Sequence, residues 1–180
     1  MMAAKVVALA LAVLIATGPA LAWGGGGEGL SDKEVRLLFG ELGEVKSFGV
    51  IAVSLVGDAE KIGLREKDLT DHLKSGFRAN FKGVPFEDIS RNSGKFLALT
   101  ASGDRSVGNM AFRVWVIGTE YPIVYHIRCD AGNFLHPSIY TDEILGHGSP
   151  NTTPDAIRQI LDEMMQDFSS CFTRVRSKSL

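Results

Sequence analysis

Between Met110 and Cys129 apolar and polar residues alternate through two stretches, Met110–Ile117 and Tyr121–Cys129, parted by Gly118-Thr119-Glu120. A period of two marks a strand with one face toward a core, and two such runs across a short turn make a hairpin. This constrains the fold tightly, because the pleat assigns each side chain to a face. With Thr119-Glu120 as a two-residue turn, one face pairs Val116 with Ile123, Val114 with Tyr125, Phe112 with Ile127 and Met110 with Cys129. That face is apolar throughout and is the expected core side. The opposite face pairs Trp115 with Val124, Arg113 with His126 and Ala111 with Arg128. A slip of one residue would invert the segregation.

Elements on either side supply what such a hairpin needs to pack against. Ser31 and Glu34 form a capping box, with Leu30 and Val35 at the staple positions, so a short helix spans Asp32–Leu38 and ends at Gly40 and Gly43. Ser47–Val56 is rich in β-branched residues and reads as a buried strand stopped by Gly57-Asp58. Leu69, Leu73, Phe77 and Phe81 recur every four residues and mark an amphipathic helix, followed by a loop from Gly83 to Gly94. Lys95–Ala101 reads as a strand ahead of the hairpin, and Ser138–Leu145 as a further strand after it. Thr153-Pro154 then opens a long helix whose one face carries Ile157, Ile160, Leu161, Met164, Phe168, Cys171, Phe172 and Val175. Arg174 and Arg176 suit its negative pole, and Lys178 reads rather as a solvated basic tail. The expected fold is α+β: a mainly antiparallel sheet of four to five strands, helices on one face, closed by the long C-terminal helix.

The N-terminus states an address. A basic start at Lys5, an apolar run from Val6 to Thr17, Gly18-Pro19 and then Ala20-Leu21-Ala22 make a secretory leader cleaved before Trp23. The apolar run is shorter than the ~20 residues a membrane span needs. The expected organisation is a leader at 1–22, a flexible Gly-rich segment at 23–30 and one domain at 31–180. Removing Lys5 from a chain of net charge −2 leaves −3, which is not the basic field of a nucleic-acid binder. No apolar stretch after the leader approaches membrane-spanning length. Export favours pairing of the two cysteines. Cys129 points to the core from the hairpin and Cys171 lies on the helix's apolar stripe, so a Cys129–Cys171 bridge is expected, contributing ~4 kcal/mol in the chain-entropy model.

Catalytic and metal signals are weak. His72, His126, His136 and His147 show no metal-ligand spacing, and neither metal nor cofactor is expected. Gly24, Gly26 and Gly29 match dinucleotide-loop spacing but lack the preceding strand. Gly103–Gly108 is one residue off a nucleophile elbow and has the composition of a turn. Asn151-Thr152-Thr153 is a glycosylation sequon that also serves as the turn before Pro154. The candidate binding residues are Trp115, Arg113, His126 and Arg128, an aromatic and cationic cluster on the hairpin face away from the core. That face is either solvated or covered by the Asp32–Leu38 helix. The expected function is a non-enzymatic binding module at the cell envelope, its partner an envelope protein or anionic envelope ligand. The alternative is a small envelope hydrolase using His147 or His136 in a cleft.

The order of elements resembles a group of small exported bacterial α/β proteins. Its carriers here are Val50–Val56, Ile62-Gly63-Leu64 with Leu69 and Leu73, Phe96–Ala101 paired with Phe112–Val116, and Ile157–Phe168. The layout is also similar to the N-terminal domain of periplasmic TolB. The resemblance implies an α+β fold and an interaction role, and assigns no functional residue.

Overall fold

The computed structural model describes residues 21–23 and 29–177. Most of the expected leader and Gly-rich segment, and Lys178, lie outside the described residues. Strand β1 is Leu21–Trp23 and helix α1 is Asp32–Phe39. The Ser31 hydroxyl accepts from the Glu34 amide, and the Glu34 carboxylate accepts from the Ser31 amide at 2.8 Å, which is the expected capping box. A short 3-10 turn, Gly40–Glu44, leads into β2, Ser47–Gly57. Helices α2, Glu66–Asn80, and α3, Ser93–Ser102, follow. Then come β3, Val107–Ile117, β4, Ile123–Asn133, β5, Tyr140–Gly148, and the closing helix α4, Thr153–Arg176.

Four long strands stand in the order β5-β4-β3-β2, with β1 on the outer edge of β5. β3, β4 and β5 run antiparallel, whereas β2 lies parallel to β3. The sheet is therefore mixed rather than mainly antiparallel. The cause is the segment 95–101, which is helical and not a strand. Without a strand there, the chain passes from β2 to β3 through α2 and α3, the long crossover that parallel pairing requires. The expected pairing of Phe96–Ala101 with Phe112–Val116 does not occur, because β3 lies between β2 and β4. Both ends of α3 are capped. Asn92 accepts from the Lys95 amide at 3.0 Å, and Gly103, at φ 60°, turns its amide back to Thr100.

The hairpin's faces are as expected, but its register is shifted by two residues. Val116 stands opposite Tyr125, Val114 opposite Ile127, Phe112 opposite Cys129 and Met110 opposite Ala131. The turn is longer than two residues and runs through Gly118, at φ 92°, to a cis Tyr121–Pro122 bond. A shift of two preserves every inward and outward assignment, so only the pairs change. β5 likewise begins at Tyr140 and reaches Gly148, later than expected.

Helices α1, α2 and α4 cover one sheet face, and the apolar stripe of α4 is buried from Ile157 to Phe172. The ring of Phe48 lies 5.3–6.0 Å from those of Phe77, Phe81, Phe168 and Phe172. Cys129 and Cys171 are both buried, and both thiols are free. Burial, with Asp142 and Asp130 nearby, pushes the Cys129 thiol well up, and burial pushes Cys171 up to about 11.

The free edge of β2 is closed by its own chain. Phe48 donates to the Pro85 carbonyl, and the amides of Glu87 and Ile89 donate to Phe48 and Gly49. Farther along, the amide of Val53 donates to Thr70 Oγ1 and that of Leu55 to Glu66 Oε1. Lys74 holds the 85–89 segment through Asp88 at 2.7 Å. Burial opposes ionisation of Asp88, yet Lys74 and the hydroxyl and amide of Ser90 outweigh it and hold the carboxyl at about 2. A depressed folded-state value means that this stabilisation is full above the ordinary carboxylate range, ~3.9 for aspartate, and fades as pH falls toward the folded value. Acid unfolding followed by circular dichroism should therefore be less steep between those limits in Lys74→Met than in the parent chain.

Candidate binding surface

The opposite sheet face carries no helix among the described residues. α1, one of the two alternatives for this face, packs instead against α4, where Arg174 pairs with Asp32 at 2.8 Å. Along β3 this uncovered face shows Ala111, Arg113, Trp115 and Ile117, and along β4 it shows Val124, His126, Arg128 and Asp130. β5 contributes Thr141, Glu143, Leu145 and His147.

The two-residue register shift places Trp115 directly opposite His126. Their rings stack at 4.9 Å with an interplanar angle of 20°. The guanidinium of Arg113 sits 5.2 Å from the indole centroid, a cation–π arrangement. Arg113 itself faces Arg128 across the strands, a like-charge pair that costs stability unless one partner is neutralised. Arg128 is neutralised. It makes a two-pronged bond to Asp130 at 2.7 and 2.8 Å and another to Glu143 at 2.8 Å. Hydrogen bonding from Arg128 to Asp130 raises the guanidinium's pKa further. Burial opposes ionisation of Asp130, but bonds from Arg128 and Thr141 hold its carboxyl below the ordinary range. His126 reaches Glu143 at 3.4 Å.

All four expected residues therefore meet on one face, in two roles. Arg113, Trp115 and His126 form a continuous stack. Arg128 is tied into a carboxylate network that aligns the strands. Arg113 is exposed, and its partner among the described residues is the indole rather than a carboxylate. Asp130 and Glu143 complete the site beyond the expected residues. Asp130 stands two positions after Arg128 on the same strand face, which is a readable signal. Glu143 reaches the site only through the register of β5.

The histidines named for a hydrolase separate. His147 is exposed on β5, on the same uncovered face. His136 meets Glu41 at 2.5 Å beside a hollow of about 650 Å³ lined by Leu37, Leu38, Glu41, Glu44, Ser138 and Ile139. Both members of that pair are half exposed. Ser138 is exposed and lines the same hollow, and no hydrogen bond joins it to the imidazole among the described residues.

What these observations define is an α+β domain with one helix-covered sheet face and one face that carries no helix among the described residues. No protein-family model and no curated protein sequence matches the chain. Among solved structures it is similar to the PelC dodecamer from Paraburkholderia phytofirmans, with a TM-score of 0.43 and 7% identity, covering 76% of this chain and 91% of that one. A variant PelC dodecamer from the same organism matches with a TM-score of 0.43 and 6% identity, covering 69% and 88%. Likeness at this level transfers neither family nor function. Among the described residues, no helix is long and apolar enough to cross a membrane.

Proposed function

We propose that this chain is an exported, non-enzymatic binding module of the cell envelope that docks an anionic segment of an envelope protein on the open sheet face. The observation that carries this reading is Arg113, an exposed guanidinium stacked on Trp115 and not neutralised by a described carboxylate. A guanidinium over an aromatic plane is pre-organised to take a carboxylate or phosphate in two bonds, with the indole providing apolar contact beside it. Arginine and tryptophan are also the side chains that most often anchor interfaces. Trp115 is only partly buried, so its truncation removes an anchor without opening the core.

Export follows from the leader at residues 1–22, and the layout similar to the TolB N-terminal domain accords with an interaction role. Export also places Cys129 and Cys171 where thiols oxidise, and we propose that they pair there. Mass mapping of the exported chain without reductant should find Trp23 at the start and a Cys129–Cys171 linkage. A retained leader or two free thiols would count against these parts.

The binding reading is tested by comparing envelope-partner capture by the mature protein with capture by Arg113→Ala and Trp115→Ala. Each variant should lose about 2 kcal/mol of affinity, about thirtyfold. Stability should change by only about 0.5 kcal/mol, as for exposed substitutions generally. Undiminished partner retention by both variants would sink the reading. So would a large drop in the melting temperature of Trp115→Ala, which would mark the face as a second core.

One observation favours a second reading. His136, oriented by Glu41 at the mouth of a hollow, is the histidine–carboxylate pair a small hydrolase would use. Hydrolysis of ester or amide probes that is lost in both His136→Ala and Glu41→Gln would establish it.

A further inference from the structure

The two edges of the sheet are treated differently. The β2 edge is closed by residues 85–89, Thr70 and Glu66. The β5 edge is met, among the described residues, only by β1, with Leu21 opposite Leu145, Ala22 opposite Ile144 and Trp23 opposite Glu143. The leader's cleavage point falls inside that strand. Cleavage after Ala22 removes the residues opposite Leu145 and Ile144 and leaves Trp23 alone opposite Glu143. An uncovered strand edge is a template for another strand.

We propose that processing uncovers the edge of β5, and that this edge then pairs antiparallel with β5 of a second copy, about a two-fold axis through Leu145. The uncovering rests on the export reading above. The choice of partner rests on the strand's own pattern. An antiparallel pair centred on Leu145 sets Leu145 against the second copy's Leu145 and Glu143 against the second copy's His147, twice by symmetry. Leu145 is 55% exposed even with β1 present, and His147 is exposed with no ion partner among the described residues. On the other face of the strand, Ile144 meets the second copy's Gly146, and Asp142 its Gly148. Large therefore stands against small at each core-side position.

The register of β1 gives independent support. Leu21 occupies, opposite Leu145, the position that the second copy's Leu145 would take, in the same antiparallel sense. Before processing, the leader thus occupies the edge that dimerisation needs. In the dimer the two sheets become one, and the two Arg113–Trp115–His126 stacks lie on a single continuous face. A partner with two anionic segments would gain avidity from that arrangement.

The test uses the tagged full-length chain recovered after export, with its N-terminus read by mass, in sedimentation equilibrium from micromolar to sub-millimolar concentration. The expected result is a chain starting at Trp23 that dimerises. Leu145→Lys, which sets two ammonium groups against each other at the axis, should weaken dimerisation by about tenfold or more. Leu145→Cys should cross-link to its copy under mild oxidation, giving a second measurement on an exposed position should the lysine variant fold poorly. A chain that starts at Trp23 and stays monomeric overturns the pairing while leaving export intact. A dimer indifferent to Leu145→Lys, with no cross-link through Leu145→Cys, overturns it as well. A retained leader overturns the export reading and the uncovering together.

Discussion

Phe48→Ala is expected to destabilise the protein by about 3–5 kcal/mol, because a fully buried ring leaves a cavity that rigid neighbours fill poorly. Four other phenylalanine rings close around it, from α2, the residue after α2, and two turns of α4. Tilted and edge-on ring pairs add about 0.5–1.5 kcal/mol each beyond the area they bury, so several terms are lost together. Phe48 also anchors backbone, since its amide and carbonyl bind the 85–89 segment that closes the β2 edge. The melting temperature should fall by about 10 °C, from the usual relation for a chain of this size. Phe48→Leu keeps most of the volume and should cost less than about 1.5 kcal/mol. Equal losses in the two variants would mean that ring packing is not what holds this strand to the helices.

The importance of Phe48 could be read from sequence only in part. Ser47–Val56 is legible as a strand because β-branched residues crowd it. The partners of Phe48 are visible as the stripes of α2 and α4, which the period of 3.6 reveals. Gly108 is not legible in the same way. A Cβ there would stand 2.5 Å from the Phe48 ring, so the parallel β2–β3 contact is built around a missing side chain. Parallel pairing depends on a distant segment and leaves no local pattern. The same lack of a local signal lets segment 95–101 read as a strand, because a short apolar run of Phe96, Leu97, Ala98 and Leu99 fits strand and helix alike. The deciding signals were the cap at Asn92 and the left-handed Gly103.

For the candidate surface, period two alone places Arg113, Trp115, His126 and Arg128 on one face, and a register error of two cannot disturb that. It does change who meets whom. The Trp115–His126 stack and the Arg113–Arg128 opposition both depend on a turn that extends to Pro122. The charge relief that Arg128 finds in Glu143 depends on β5, whose register no local residue announces.

Gly132→Ala is the other substitution expected to be severe, and it probes the turn that carries His136. A Cβ at Gly132 would overlap the His136 carbonyl oxygen and come 2.8 Å from the Pro137 carbonyl carbon. Both obstacles are backbone, so no side-chain rotation relieves them. Moving His136 breaks the 3.0 Å bond from the Asn133 amide to its carbonyl. It also disturbs the Asn133 side chain, which accepts from the amides of Leu135 and His136 in a buried setting. An unsatisfied buried amide costs about 1–3 kcal/mol, and overpacking adds about as much, so a loss of about 3 kcal/mol or more is expected. Gly94→Ala is the matched control. It lies in the first turn of α3, and its Cβ would meet nothing closer than 3.7 Å. Alanine there should be neutral or stabilise by up to about 1 kcal/mol through helix propensity. Urea midpoints for the two variants should therefore move apart. If Gly132→Ala matched Gly94→Ala, the β4–β5 turn would not be closed against β4 as described, and the Glu41–His136 pair would lose its fixed support.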